Sequence, residues 1–209
     1  MSAPALLEEG LAELGMQLSP AAREGLLAYL ALIRKWNRVY NLTAIRDEHE
    51  AVRQHLLDSL AVLPCLNAYS RIADVGSGAG LPGIVLALAR SSLTVDSVET
   101  VNKKASFQQQ AAIELGLQNF RVINRRVEDM QVDAPYDAVI SRAFASLTDF
   151  VTMTAHLLAP GGHWLAMKGV YPQVEIEALP ENGVGRVQSV PLTVPGLDAE
   201  RHLIIVERA

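Results

Sequence analysis

The segment that most constrains the fold is Asp74-Val75-Gly76-Ser77-Gly78-Ala79-Gly80-Leu81-Pro82-Gly83. It follows a short apolar run, residues 71–75, and opens a helical pattern over residues 84–90. Glycines at a strand-to-helix turn permit tight backbone geometry and let a ligand approach the main chain closely. The pattern continues with an alternating strand over 93–99, a helix over 103–117 and strands over 120–124 and 136–141. A helix over 148–158, a strand over 162–168 and a short helix over 172–179 follow. Two strands, 186–194 and 202–207, close the chain with no clear helix between them. Strands alternating with helices predict a mostly parallel, seven-stranded Rossmann-like α/β sheet covered on both faces, and the final pair predicts an antiparallel edge.

Residues 1–66 read differently, as helix after helix. Ser19-Pro20 is a start signal, because the serine oxygen can cap free amides and proline fits the first helical position. Leu26, Leu30, Ile33, Trp36 and Tyr40 then form one apolar stripe. A second helix is expected over 48–63, ending at Pro64. The chain therefore divides into an N-terminal helical extension, 1–66, and a sheet domain, 67–209, packed as one globular unit.

Composition excludes several classes. With 18 Lys+Arg against 23 Asp+Glu, the net charge of −5 argues against a generally basic, sequence-blind nucleic-acid binder, though not against a local basic patch. A single cysteine, Cys65, excludes a disulfide scaffold or a multi-thiolate zinc site, and no metal-ligand cluster is apparent. The N-terminus lacks the cationic region of a secretory signal. The most apolar stretch is broken by Asp74, Pro82 and its glycines, so the expectation is no membrane association and a cytoplasmic location.

The glycine loop alone does not settle the ligand. Gly78, Gly80 and Gly83 also fit the GxGxxG dinucleotide pattern, which is weak by itself. Three features favour S-adenosylmethionine over NAD: Asp74 two residues before Gly76, an uninterrupted GxGxG from Gly76 to Gly80, and Pro82 at an early helix position. Glu99, ending the second strand, can accept hydrogen bonds from the ribose hydroxyls of either cofactor. In Arg125-Arg126-Val127-Glu128-Asp129, a carboxylate could accept from an adenine amino group with Val127 against the ring; the same loop could equally be solvated charge. Ser141-Arg142-Ala143-Phe144-Ala145-Ser146-Leu147 follows the fourth strand, where methyltransferases present groups to the acceptor. It is not the Asp/Asn-Pro-Pro-aromatic run associated with exocyclic amines. Cys65 is badly placed for the covalent chemistry of pyrimidine carbon-5 methylation. Arg125, Arg126, Arg142, Lys168 and Arg201 fall at or near strand ends and are the candidate RNA contacts, with Arg34, Lys35 and Arg38 on the helical extension.

Several stretches together carry a family resemblance: Trp36-Asn37-Arg38-Val39-Tyr40-Asn41-Leu42-Thr43-Ala44-Ile45, His55-Leu56-Leu57-Asp58-Ser59-Leu60, the glycine loop, the segment from Ser141 to Leu147, and Glu200-Arg201-His202-Leu203. On these the chain resembles the RsmG (GidB) family of bacterial 16S ribosomal RNA guanine-N7 methyltransferases, from about Trp36 to Arg208. The resemblance implies a class I methyltransferase fold, S-adenosylmethionine as donor, and a guanine in the decoding-region loop of 16S rRNA as acceptor, presented in the small subunit or its assembly intermediate. It places Gly76, Leu81, Val127, Glu128 and Arg142 at cofactor-contact positions, beside Asp74, Gly78 and Glu99 from the residue reading. Glu99-Thr100-Val101-Asn102-Lys103-Lys104 departs from the family's acidic-Ser-Leu-small-Lys-Arg run but keeps the acid.

Guanine N7 bears a lone pair and no proton, so alignment rather than a strong base is the requirement. No acid/base dyad is expected; Arg142 is the best candidate for positioning the acceptor. His55 and Asp58, at i and i+3 on a helix, read more readily as a packing contact than as a charge relay. The competing readings are a small-molecule methyltransferase with the helical region as a lid, and a ribosome-assembly binding module that has lost turnover. Nothing in the sequence demands more than a monomer.

Overall fold

The computed structural model describes every residue except Ala143 and Ala145. The chain begins with α1 (Ala3–Glu13) and α2 (Pro20–Tyr40). Ser19 caps α2 as expected, its Oγ accepting from Ala22 N at 3.1 Å. The next helix is α3 (Glu48–Ala51), a π-helical segment (Val52–Leu57) and α4 (Asp58–Leu60) run together. The expected helix is thus present, but it widens in the middle and ends before a 3₁₀ turn at Leu63–Leu66.

The sheet contains β1 (Arg71–Val75), β2 (Thr94–Val98), β3 (Phe120–Ile123), β4 (Tyr136–Ser141), β5 (Leu158–Lys168), β6 (Val184–Pro191) and β7 (His202–Arg208), in the order β3-β2-β1-β4-β5-β7-β6. Strands β1 to β5 pair in parallel, and β7 runs antiparallel to both β5 and β6. The intervening helices are α5 (Gly83–Ala89), α6 (Asn102–Glu114), α7 (Leu147–Thr154) and α8 (Gln173–Glu177). Two local readings are revised. Pro82 caps α5 rather than lying inside it, and β5 begins at Leu158, where the expected α7 was still running. There the helix tightens to a 3₁₀ turn over Ala155–Leu157, and Trp164 Nε1 donates to Thr154 Oγ1 at 2.9 Å.

The strand order reverses at β1, which pairs with β2 on one side and β4 on the other. A ligand crevice opens at such a switch point, beyond the carboxyl ends of the strands. The helical extension is built into this end of the molecule. Leu7, Leu26, Leu30, Leu56 and Leu60 share one buried cluster with Ile72, Ile84, Phe107 and Leu203. Tyr29, fully buried, donates its hydroxyl to Ala79 O at 2.7 Å, fastening α2 directly to the glycine loop. Among the described residues no helix is long and apolar enough to cross a membrane.

Replacing Tyr29 with Phe leaves a buried carbonyl unsatisfied, which typically costs about 1–3 kcal/mol. Urea unfolding of Tyr29→Phe is expected to show that loss with an unchanged m-value; unaltered stability would mean that the bond does not hold the loop.

Candidate active site

The glycine turn explains its own composition. Gly76, Gly78 and Gly80 have φ of 72°, 61° and 92°, a region side chains rarely adopt. Side chains from four elements fix the turn. Asp74, at the end of β1, accepts from Gly83 N at 2.7 Å and so satisfies an amide at the start of α5. Glu99 accepts from Gly78 N through Oε2 and from Val101 N through Oε1, each at 2.8 Å. Gln108, buried on α6, donates at 2.8 Å to both Gly78 O and Ser77 Oγ, and Ser97 Oγ lies 2.6 Å from Ser77 Oγ.

Asp74 is the electrostatic anomaly of this network. Burial pushes its carboxyl up to about 7, against the Gly83 amide and the more distant Arg142, while Glu99 adds repulsion. Its Oδ1 is buried with no hydrogen-bond partner among the described residues. A ligand ammonium is the kind of group that would complete such an atom.

Two cavities matter here, and only the first has a residue of the turn in its lining. One, about 360 Å³, is lined by Gly76, Thr100, Arg125, Arg126, Val127 and Glu128, together with Phe144 and Met153. It combines an apolar wall with an exposed acid, suiting a planar heterocycle with an amino group. The other, about 350 Å³, is lined by Arg142, Lys168, Arg201 and His202, with Gln54 and Asp58 facing them from the helical extension. Asp58 organises this second cavity. Its Oδ2 lies 3.3 Å from Arg142 Nη1 and its Oδ1 accepts from Arg201 Nε at 3.0 Å. Arg142 also donates to Gln54 O in the π-helical segment at 3.1 Å. Lys168 is held by Glu175, at 2.8 Å from Oε2, which also accepts from Leu147 N at the start of α7.

The structure therefore gathers the expected residues unevenly. Gly76, Val127 and Glu128 line one cavity together; Asp74, Gly78 and Glu99 belong to the loop network between β1 and β2. Leu81 lies in the hydrophobic core, its amide bonded to Ser77 O, and lines neither cavity. The five basic candidates divide: Arg125 and Arg126 border the apolar cavity, whereas Arg142, Lys168 and Arg201 border the other. Of the segment from Ser141 to Leu147, Ala143 and Ala145 lie outside the described residues. No hydrogen bond joins His55 to Asp58 among the described residues; His55 Nε2 is 3.2 Å from Thr43 Oγ1, and Asp58 turns to the two arginines. The Asp58 contacts link the helical extension to the segment after β4 and to the approach to β7.

Sequence reasoning missed Tyr29, Gln108 and Glu175. Gln108 had a detectable signal, a polar residue between Ala105 and Ala111 on the buried stripe of α6. Tyr29 and Glu175 act across tertiary contacts that no local pattern announces.

The sheet order, with its antiparallel β7 and its glycine turn at the switch point, is that of a class I S-adenosylmethionine-dependent methyltransferase. Solved structures agree on the fold. An S-adenosylmethionine-dependent methyltransferase from Aquifex aeolicus superposes with a TM-score of 0.57 at 16% identity, covering 76% of this chain and 93% of that one. The StiE O-methyltransferase, residues 961–1257, gives a TM-score of 0.60 at 17% identity over 85% of this chain and 81% of its own. The family model for rRNA small subunit methyltransferase G matches residues 22–204, and the chain belongs to that family. Ribosomal RNA small subunit methyltransferase G of Aromatoleum aromaticum is 65% identical over 208 residues, 98% of each chain. The Neisseria meningitidis serogroup A protein of that name is 51% identical over 203 residues, 97% of each. Fold and family imply S-adenosylmethionine as the methyl donor.

Two buried groups titrate in opposite senses. Asp74, raised to about 7, binds more protons folded than unfolded, so its contribution to stability falls as pH rises from about 4 to 7. His55 is lowered to about 4, first by burial and then by Arg142, so its contribution falls as pH drops from about 6.5 to 4. Each full proton difference is worth about 1.4 kcal/mol per pH unit. Asp74→Asn is therefore expected to gain stability with rising pH between pH 4.5 and 6.5, and His55→Asn to lose it, relative to a flatter parent. Urea titrations giving all three the same slope would refute both assignments.

Proposed function

We propose that the protein transfers a methyl group from S-adenosylmethionine to N7 of a guanine in the decoding-region loop of 16S rRNA, acting as a cytoplasmic monomer on the small subunit or its assembly intermediate. The carrying observation is a pair of cavities, one bordering the glycine turn and one lined by Arg142, the residue that follows β4. One is shaped for an adenine, and the other has cations set to meet a nucleotide. Membership of the rRNA small subunit methyltransferase G family supports the acceptor class.

In this reading the open oxygen of Asp74 takes the donor's ammonium, and Glu99 takes the ribose hydroxyls on its remaining lone pairs. Val127 covers the adenine face and Glu128 accepts from its amino group. Gly76 and Gly78 permit close backbone approach, while Leu81 supports the turn from the core. Arg142 positions the guanine, and Arg125, Arg126, Lys168 and Arg201 meet phosphates.

When bound, S-adenosylmethionine supplies a methyl carbon already activated by a sulfonium charge. Guanine N7 attacks with its own lone pair, the S–CH₃ bond breaks with its electron pair going to sulfur, and no proton moves. The chain's residues hold the two reactants in line and exclude water, work that orientation alone can make worth several powers of ten in rate. A base is not required.

Borohydride–aniline mapping of 16S rRNA tests the reading directly. Cleavage at a decoding-loop guanine is expected with the protein present and absent without it; identical patterns would reject it. Gly78→Asp should cut donor affinity at least tenfold in calorimetry, because it sets a carboxylate beside Glu99 at φ 61°. Gly78→Asn, without that charge, should lose less, and equal losses would remove the electrostatic argument. Arg142→Ala should keep the fold but lose roughly a hundredfold in kcat, the scale of a misplaced reactant; full activity on rRNA would remove Arg142 from the site.

A further inference from the structure

A cavity of about 760 Å³ lies on the helical extension, apart from the donor and acceptor cavities. Its lining mixes apolar residues such as Leu30 and Ile33 with Arg34, Lys35, Arg38 and Arg46. Those four cations are exposed, and only two carboxylates, Asp47 and Glu48, share the lining. In a chain of net charge −5 this is a local reversal of sign.

The internal contacts leave part of that charge uncommitted. Arg34 reaches Glu48 Oε1 at 3.2 Å, and Arg46 donates to Asn37 O and Asn41 Oδ1 at 3.2 and 3.1 Å. Asp47 turns its Oδ1 to the Glu50 amide at 2.9 Å. Lys35 and Arg38, three residues apart on α2, have no hydrogen-bond or ion-pair partner among the described residues. The cavity also adjoins the acceptor site. Ile45 lines both, and the neighbouring helical residues Gln54 and His55 line one each.

We propose that this groove is a second RNA-binding site, which holds the phosphates of the strand flanking the acceptor guanine on Lys35 and Arg38. The inference rests on the reading of RNA as the acceptor. A strand whose target base enters the Arg142 cavity leaves it past Ile45 and meets uncommitted cations next, with apolar surface beneath for its sugars and base faces. A phosphate backbone complements this arrangement because it carries negative charge at every nucleotide.

The test is steady-state methylation of unmethylated small-subunit particles by the full-length protein across a series of salt concentrations. Each phosphate contact on a single strand contributes about 0.7 to the log–log salt slope. Lys35→Gln/Arg38→Gln is expected to raise KM for the particles roughly tenfold near physiological salt and to flatten that slope by about 1.4. Its kcat and donor affinity should stay unchanged. Lys35→Arg/Arg38→Lys, which keeps both charges, should restore KM and slope. Parent-like KM and slope in the Gln variant would overturn the proposal, as would a raised KM with an unaltered slope, which would indicate a non-ionic contact. Should the parent place no methyl group on RNA at all, the proposed function falls and this inference with it, an outcome separable from failure of the variant alone.

Discussion

The site depends on how a turn made largely of glycine is kept still. Gly76, Gly78 and Gly80 provide a shape that other residues resist, but glycine also has more conformational freedom to lose than any other residue. Rigidity must come from outside the turn, and it arrives through side chains rooted in the core. Asp74 comes from β1, Glu99 from just beyond β2, Gln108 from α6 and Tyr29 from α2. Each bonds a different backbone group, so the loop inherits the packing of four elements rather than depending on one. The helical extension is part of this: without α2, the Ala79 carbonyl would lose its buried donor. A lid that merely covers a site would have no reason to bond the turn beneath it.

The acceptor side is built on the opposite principle. Its cations are tied to carboxylates rather than to a rigid backbone frame: Arg142 and Arg201 share Asp58, and Lys168 shares Glu175. The cations of these pairs are partly exposed, but Asp58 is buried, so taking either arginine away from it costs more than parting a surface pair. The pairs keep a cationic cavity from repelling itself while it has no partner. They also bring three separate stretches of chain, the start of α4, the residue after β4 and the residue before β7, to one place. The widened helical turn lets Gln54 present its carbonyl to the same guanidinium that Asp58 holds.

What could be read from the sequence follows from how local each cause is. The strand–glycine–helix unit, the Ser19 cap and the parallel alternation are set by residues close together in the chain, and they were legible. Asp74 and Glu99 were legible as neighbours of the glycine turn because strand ends at a switch point converge in any sheet of this kind. Their bonds to Gly83 and Gly78 were not, since those depend on how the turn folds back. The α7 boundary was misjudged because apolar residues at 155–158 suit a helix or a strand equally, and the Trp164–Thr154 contact decides between them. Leu81 matches a cofactor-contact position by resemblance, yet its side chain serves the core. Asp58 shows the reverse: helical spacing suggests His55 as its partner, whereas tertiary charge supplies Arg142 and Arg201.

These two halves suit a reaction that moves a methyl group but no proton. A base catalyst would need a titratable group poised at the acceptor, and two of the strongly shifted groups near the site, His55 and Asp74, are unsuited to it. His55 is kept neutral by burial and by the Arg142 charge, lines the cavity of the helical extension rather than the arginines' cavity, and bonds Thr43. Asp74 is fully buried, with one oxygen committed to the Gly83 amide. What the architecture does supply is a held turn and an ordered set of cations. The glycine turn is fixed by buried hydrogen bonds, and the Arg142 cavity is organised by ion pairs around the buried Asp58. In-line transfer requires that the two reactants be held in alignment, a task that ordered hydrogen bonds and ion pairs can perform without a base.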